Sequence, residues 1–148
     1  MPPEPDLAPP PAEAPALPFF VYGTLRTGGS NHDALLAGRC TAARPAVLPG
    51  AALHDGPGFP YAVPDPARRI VGELLNVRAA HYGRVLRALD DLEDCRPDGS
   101  GLYVRRRLTV RTADGAETDA WVYLAGPQAA ARLRAHPALI ASGDWTAR

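Results

Sequence analysis

Apolar residues recur with a helical period between Ala79 and Asp94. Five of them fall at the i, i+3, i+4 and i+7 spacing that places side chains on one helix face: Tyr82, Val85, Leu86, Leu89 and Leu92. The residues between them are mostly charged or small, which suits the opposite face to water. The pattern predicts an amphipathic helix over 79–94 that packs one face against the rest of the protein.

Short apolar and β-branched runs, separated by Gly and Pro, predict strands along most of the remaining chain. Phe19–Tyr22 is expected to be a buried strand that stops at Gly23. Leu102–Thr112 and Thr118–Leu124 are expected to form a hairpin, because Asp114-Gly115 between them is a strong turn signal. The other candidate strands are 46–48, 52–54, 61–63 and 70–77.

Two further helices are expected, a short one through 34–36 and a last one from Pro127 to about His136. Helices are thus inserted between strands and do not alternate strictly with them. This order favours an α+β fold, a curved mixed sheet or small β-barrel with flanking α-helices, over a doubly wound fold.

The first 17 residues are nearly all Pro, Ala and acidic residues. Such a segment has too little apolar surface to offset its ordering entropy, and its prolines favour extended conformations. We therefore predict a disordered tail over 1–17, which could also bind a proline-recognising partner, and one folded domain over 18–148.

The charge balance excludes several function classes. The chain has 16 basic residues, all arginine, against 16 acidic ones, and this zero net charge argues against electrostatic binding to nucleic acid or an anionic membrane, which relies on clustered positive charge. No apolar run approaches the ~20 residues of a membrane span, and the N-terminus lacks the pattern of a secretory signal. We expect a cytoplasmic protein.

The residues that usually bind metals are scattered. The two cysteines show no paired ligand spacing, and no metal site is expected from the four histidines, His32, His54, His81 and His136. Cys95 is close to Glu93, but no basic residue is predictably beside it, so it is interpreted as a small half-buried side chain.

Glu93 lies on the apolar face of the predicted helix. At ~100° per residue it falls about 20° from Tyr82, whereas Asp91 and Asp94 point towards solvent. An inward carboxylate must be paired, be neutral or line a cleft, and burial raises its pKa towards the range useful for proton transfer. The alternatives are that Glu93 lies in a frayed last turn, bends out to water, or pairs with an arginine of Arg105–Arg107.

The loop after the first strand is the second candidate site. A glycine directly after a buried strand lets the backbone turn sharply, which leaves N–H groups pointing into a common space suited to a carboxylate. Gly23 can equally serve the turn alone. The loop lacks the glycine spacing of nucleotide-binding loops, so phosphate binding is not supported.

Two other segments have an ordinary and a functional interpretation. A two-residue Asp114-Gly115 turn would place Arg106 opposite Tyr123 and Leu108 opposite Trp121, where stacking and ion pairing explain the arginines. Trp121 and Tyr123 are then core residues. The Asp55–Pro60 segment is either a wall of the pocket or a simple turn between strands.

Taken together, these segments resemble the γ-glutamylcyclotransferase-like (AIG2-like) family. Phe20–Arg26 (FVYGTLR) is similar to the signature that opens such domains. Leu89–Cys95 (LDDLEDC), followed by Leu102–Arg105 (LYVR), is similar to the second signature, and Ser142–Trp145 (SGDW) to the ending of bacterial members. The resemblance runs from about Phe19 to Trp145 and is strongest to the γ-glutamylamine cyclotransferase branch.

The resemblance implies a small mixed β-barrel with flanking helices, and a reaction in which a γ-glutamyl group cyclises to 5-oxoproline and releases an amine. It assigns the catalytic glutamate to Glu93 and the substrate-binding loop to Tyr22, Gly23, Thr24 and Leu25. Tyr103 is a further candidate hydroxyl at the mouth of the pocket, and Arg105 a supporting residue. No cofactor is implied, and the expected partner is a small-molecule γ-glutamyl substrate.

Two alternatives stay open from the sequence. One is a non-catalytic domain of the same fold that binds a metabolite or a protein. The other is removal of a γ-glutamyl protecting group from a biosynthetic intermediate, which is the same chemistry with a bulkier amine. The leaving amine and the oligomeric state are also left open by these patterns.

Overall fold

The computed structural model describes residues 16–96 and 98–148, and its centre is a five-stranded barrel. The strands are β1 (Phe19–Val21), β2 (Cys40–His54), β3 (Tyr61–Val77), β4 (Tyr103–Thr112) and β5 (Glu117–Ala125). They close in the order β1-β3-β2-β4-β5, with β1 parallel to β5 and the other pairs antiparallel. The predicted small mixed barrel is confirmed.

Three α-helices flank the barrel, namely α1 (His32–Leu35), α2 (Tyr82–Leu92) and α3 (Pro127–Ala135). Short 3₁₀ helices cover Ala79–His81 and Trp145–Ala147. The helix predicted over 79–94 therefore starts with a 3₁₀ turn and is α-helical only to Leu92. It stops because Asp94 adopts the left-handed conformation (φ 51°), which cannot continue an α-helix. None of the described helices is both long and apolar enough to cross a membrane.

The separate strands expected from 46 to 77 are two continuous ones, β2 of 15 residues and β3 of 17. The prolines that suggested breaks lie near an irregularity in their pairing. Pro49 faces Arg69, whereas Ala51 faces Pro64, so the two strands slip out of register between these pairs. Proline cannot donate a ladder hydrogen bond, and a bulge accommodates it without ending the strand.

The register predicted for the last hairpin is wrong by one residue. Tyr123 faces Arg105, not Arg106, and Leu108 faces Ala120, not Trp121. The amide of Thr112 donates to the Ala116 carbonyl (2.9 Å), so three residues make the turn where two were expected. Gly115 takes the left-handed conformation (φ 87°) that a three-residue hairpin loop requires at its last position.

The barrel wall separates two apolar cores. Successive residues of a strand face opposite sides, so Phe19 joins the core beneath the helices and Phe20 the core inside the barrel. Leu17 is buried next to the core beneath the helices, and its carbonyl accepts a hydrogen bond from the Tyr82 hydroxyl (2.6 Å). Among the described residues, the first buried side chain is that of Leu17, one residue before the predicted start of the domain. The rest of the predicted tail, 1–15, lies outside the described residues.

Candidate active site

A single pocket lies between the end of β1, the end of α2 and the start of β4. It contains all six residues proposed from the sequence: Tyr22, Gly23, Thr24, Leu25, Glu93 and Tyr103. The rest of its lining is Phe20, Val21, Phe59, Pro60 and Tyr123. The structure therefore brings the candidate acid and the candidate loop to one cavity, as the inward position of Glu93 required.

The 22–25 loop lines this pocket, and three of its amides have no hydrogen-bond partner among the described residues. The carbonyls of Gly23 and Thr24 accept hydrogen bonds from the amides of Arg26 and Asn31 (both 3.0 Å). The carbonyl of Leu25 lies 2.9 Å from Nδ1 of His32. The amides of Gly23, Thr24 and Leu25 make no hydrogen bond within the described residues. Such a set of neighbouring N–H groups is suited to a carboxylate or a developing oxyanion.

Position 23 has no room for a side chain, because the ring of Pro60 packs directly against the Gly23 backbone. A Cβ atom at this position would lie 2.7 Å from Cδ of Pro60 and 2.8 Å from its Cγ. Pro60 therefore rests directly on the loop and covers one side of the pocket. Any larger residue at 23 would displace either the loop or its cover.

Glu93 follows the last turn of α2, and its amide donates to the Leu89 carbonyl (2.9 Å). The side chain is half-buried and forms no ion pair within residues 16–96 and 98–148. Burial raises the pKa of its carboxyl group to about 7. A group with this pKa can both accept and donate a proton near neutral pH.

The three arginines that could have neutralised Glu93 have other partners. Arg105 pairs with Asp90, Arg107 pairs with Asp119, and Arg106 donates to the Arg105 carbonyl. The interpretation in which Glu93 is clasped by an arginine is therefore wrong. Arg105 is linked to Glu93 only indirectly, since its partner Asp90 precedes Glu93 by three residues at the same helix end.

Three tyrosine hydroxyls surround Glu93, yet each donates elsewhere. Tyr22 donates to the Tyr123 carbonyl, Tyr103 to the Pro60 carbonyl (2.6 Å) and Tyr123 to Asp90 (2.6 Å). Burial, reinforced by the charge of Glu93, raises the pKa of all three phenols above the ordinary value, so they stay protonated. Glu93 thus sits among neutral groups that do not stabilise its charge.

The sequence did not place three of the lining residues at the pocket, namely Phe20, Val21 and Tyr123. Tyr123 was assigned to the core, but its strand position also reaches the pocket. Phe59 and Pro60 belong to the Asp55–Pro60 segment, for which a pocket wall was one of the two interpretations, and both line the pocket. The aromatic residues Phe59 and Tyr61 on either side of Pro60 are the sequence signal for this wall. In the structure Phe59 packs edge-on against Tyr61 (5.6 Å between ring centres), which stacks on Tyr103 (5.0 Å).

The described part of the chain gives little support for a metal site or a reactive cysteine. No group of three or more metal-ligating side chains occurs there. Burial raises the pKa of both thiols, Cys40 and Cys95, which is the opposite of what a reactive cysteine requires. The pocket therefore combines a carboxyl group of raised pKa with backbone amides that have no partner among the described residues.

Comparison with known proteins places this arrangement in a family. Residues 19–147 match the family described as gamma-glutamyl cyclotransferase, AIG2-like. A gamma-glutamylaminecyclotransferase of Bos taurus is 38% identical over 102 residues, which are 63% of this chain and 55% of that protein. The chain thus spans about half the length of this curated relative.

Two solved structures are similar in fold. An AIG2-like protein from Mus musculus superposes with a TM-score of 0.57 and 28% identity, over 76% of this chain and 80% of that one. YkqA from Bacillus subtilis gives a TM-score of 0.61 and 25% identity, over 87% of this chain and 39% of that one.

Proposed function

The chain belongs to the gamma-glutamyl cyclotransferase, AIG2-like family, and on that premise we propose that it is a cyclotransferase that needs no cofactor. Its substrate would be a γ-glutamyl amine or a γ-glutamyl amino acid. The products would be 5-oxoproline and the free amine. The observation that carries the proposal is the shared pocket, in which Glu93 without a cationic partner lies with the free amides of the 22–25 loop.

The reaction balances within one substrate molecule. The α-amine attacks the γ-carbonyl carbon, a C–N bond closes the five-membered ring, and the bond to the leaving nitrogen breaks. Nucleophile and electrophile are already connected, so the protein supplies no nucleophile and gains from the high effective concentration of the amine. What the protein must provide is proton transfer and charge stabilisation.

Glu93 would perform both proton transfers. As a carboxylate it takes a proton from the α-ammonium group, which frees the nitrogen lone pair for attack. The carboxylic acid formed in this way then gives the proton to the leaving nitrogen. The second proton, which the ring nitrogen loses on becoming an amide, passes to the released amine, which leaves as an ammonium ion. A carboxyl group with an ordinary pKa would be a weak base for the first step, and the raised pKa of Glu93 improves that step without preventing the second.

The amides of Gly23, Thr24 and Leu25 would bind the substrate's α-carboxylate or the developing oxyanion. Either role uses N–H groups that have no partner within the described residues. Tyr103, with its hydroxyl fixed on the Pro60 carbonyl, would hold the cover of the pocket in place and line the path of the substrate.

The test is the substitution Glu93→Gln, assayed as 5-oxoproline released from a panel of γ-glutamyl amines and γ-glutamyl amino acids. The amide keeps the shape of the side chain but cannot carry the proton, so we expect kcat to fall by roughly 10²–10⁴-fold with an unchanged circular dichroism spectrum. Glu117→Gln, at an exposed hairpin end, is the matched control and should keep full activity.

The pH dependence of kcat/KM for the wild-type protein is measured in the same experiment. Because the ionised form of Glu93 is the base, kcat/KM should rise with pH through about 7. A fully active Glu93→Gln variant would refute the assigned role. Tight binding of a γ-glutamyl compound without any 5-oxoproline would instead indicate a non-catalytic binding domain. Turnover only of γ-glutamyl groups on bulky amines would indicate removal of a protecting group.

A further inference from the structure

The second carboxylate near the pocket, Asp90, is held by a compact set of contacts. Arg105 approaches it with two nitrogens, Nε at 2.9 Å from Oδ1 and an Nη at 3.3 Å from Oδ2. The Tyr123 hydroxyl donates to Oδ1 at 2.6 Å. The guanidinium group also lies 4.4 Å from the ring centre of Trp121. All of these groups are largely withdrawn from solvent, unlike the exposed pairs of the same hairpin.

Asp90 is tied to Glu93 by the local geometry of α2. The two residues are three positions apart, a spacing that places side chains on adjacent parts of one helix surface. The Asp90 carbonyl also accepts the amide of Cys95 (2.8 Å), which fixes the chain on the far side of Glu93. Tyr123 links the two carboxylates, because its hydroxyl donates a hydrogen bond to Asp90 and its ring lines the pocket that contains Glu93.

We propose that the Asp90–Arg105 pair is a positioning device that keeps Glu93 without a cation or a hydroxyl donor of its own. Asp90 occupies the guanidinium group of Arg105 and the hydroxyl of Tyr123, whose ring lines the pocket of Glu93, so neither group serves a carboxylate at position 93. The pair is neutral as a whole, so it adds no net charge to the pocket. This role rests on the proposed function of Glu93 as the proton-transferring group.

The other groups facing Glu93 do not replace this device. Tyr22 and Tyr103 face it from the end of β1 and from β4, but their hydroxyls are bound to backbone carbonyls. On its own helix end, Asp91 is exposed and Asp94 binds Arg96 and the amide of Leu102. Arg105 is thus the cation that a change at Asp90 would leave without its carboxylate partner.

Two substitutions test the proposal because they predict opposite effects. In Asp90→Asn, Arg105 becomes an uncompensated cation and Tyr123 can turn towards Glu93, so the rise of kcat/KM with pH should move to lower pH by about one unit. In Arg105→Gln, Asp90 becomes an uncompensated anion beside Glu93, so the rise should move to higher pH. A merely structural role would lower activity or stability without moving the two profiles in opposite directions.

Asp119→Asn is the matched control, because it breaks an arginine pair of similar length (2.9 Å) on the exposed side of the same hairpin. Its pH profile should match that of the wild type. The double variant Asp90→Asn/Tyr123→Phe should recover part of the shift if the freed phenol donates to Glu93. Unchanged profiles, or shifts of the same sign in both single variants, would overturn the proposal.

A second measurement separates this proposal from the proposed function. The titration of the Glu93 carboxyl carbon, followed by NMR in protein labelled with ¹³C-glutamate and assigned through Glu93→Gln, requires no turnover. We expect the midpoint to fall in Asp90→Asn and to rise in Arg105→Gln. If the protein produced no 5-oxoproline but these midpoints moved as expected, the device would stand and the cyclotransferase assignment would fail.

Discussion

At position 93 the end of the helix decides the direction of the side chain. Each residue added to or removed from α2 turns the following side chain by ~100°, which is enough to move a carboxylate from pocket to solvent. Asp94 fixes the end point by adopting a left-handed conformation, and its carboxylate accepts the amide of Leu102 (3.1 Å). Glu93 therefore owes its position to the residue that follows it as much as to the helix.

Gly23 offers a residue-level prediction. In Gly23→Ala the new Cβ would meet Pro60 at 2.7 Å, so either the free amides or the pocket cover must shift. Positioning errors of this size are costly to catalysis, and we expect kcat/KM to fall by roughly 10²-fold with a smaller effect on unfolding. Kinetics on the best substrate of the panel, together with urea unfolding, provide the measurement.

The companion variant is Pro60→Ala, which removes the two ring atoms that the new Cβ would strike. The double variant Gly23→Ala/Pro60→Ala should regain activity relative to Gly23→Ala alone, since the clash is gone. If the double variant is no better than the single one, the importance of Gly23 lies in its own backbone freedom and the contact with Pro60 is incidental.

At the scale of elements, the sequence predicted the presence of α2 and of the last hairpin because their signals are local. The apolar period of α2 is carried by side chains within four residues of one another, and Asp-Gly marks a turn wherever it occurs. The length of the turn is less local. One extra residue, Ala113, changed every cross-strand pair and replaced Arg106 by Arg105 opposite Tyr123.

The elements that sequence reasoning misjudged are those governed by distant contacts. Prolines at 49 and 64 indicated strand ends, yet pairing with the neighbouring strand carries β2 and β3 past them. Whether Asp55–Pro60 forms a wall of the pocket stayed open for the same reason, because Phe59 packs near Tyr103, which is far from it in sequence. The acid and its loop could be found in advance, since each follows a recognisable helix or strand end.

His54 provides a prediction for the junction of β2 with the C-terminal segment. Its Nδ1 accepts the amide of Ala138 (3.2 Å), and burial lowers the pKa of the imidazole below its ordinary value. The folded protein thus binds fewer protons here than the unfolded chain. Stability should decrease as pH falls through the ordinary histidine range, near about 6.5, because the neutral form is required for folding.

The measurement is the urea midpoint at several pH values for wild type and for His54→Asn, whose amide oxygen can still accept from Ala138 but does not titrate. Wild type should lose more stability on acidification than the variant. Glu93 titrates in the opposite sense, with its raised pKa favouring the folded state at lower pH, and this contribution cancels between the two proteins. His136→Asn, at an exposed position, serves as the control; equal slopes in wild type and His54→Asn would contradict the prediction.

At the scale of the whole molecule, the pocket lies where segments far apart in sequence meet. The short strand β1 closes the barrel by pairing with β3 and β5, and the loop that follows it supplies the free amides. This loop is held by contacts with α1 and by the pair between Arg26 and Asp144 (2.8 Å), whose side chains are largely buried. Residues 118 positions apart thus help to position the same backbone donors.

Arg26→Gln should therefore weaken substrate binding more than it slows the chemical steps. Losing a partly buried, charged hydrogen bond costs about 1 kcal/mol, which corresponds to roughly a fivefold rise in KM if the loop binds the substrate's carboxylate in the ground state. Glu93 lies on a different element, so kcat should change less. Arg111→Gln breaks the exposed pair with Glu117 and is the control, with both constants expected to stay at the wild-type values.

Asp144→Asn should reproduce the rise in KM, and the double variant Arg26→Gln/Asp144→Asn should add little to it, because both changes remove one shared contact. A fall in kcat at constant KM would instead show that the 22–25 loop acts mainly on the transition state, and its amides would then be assigned to the oxyanion alone.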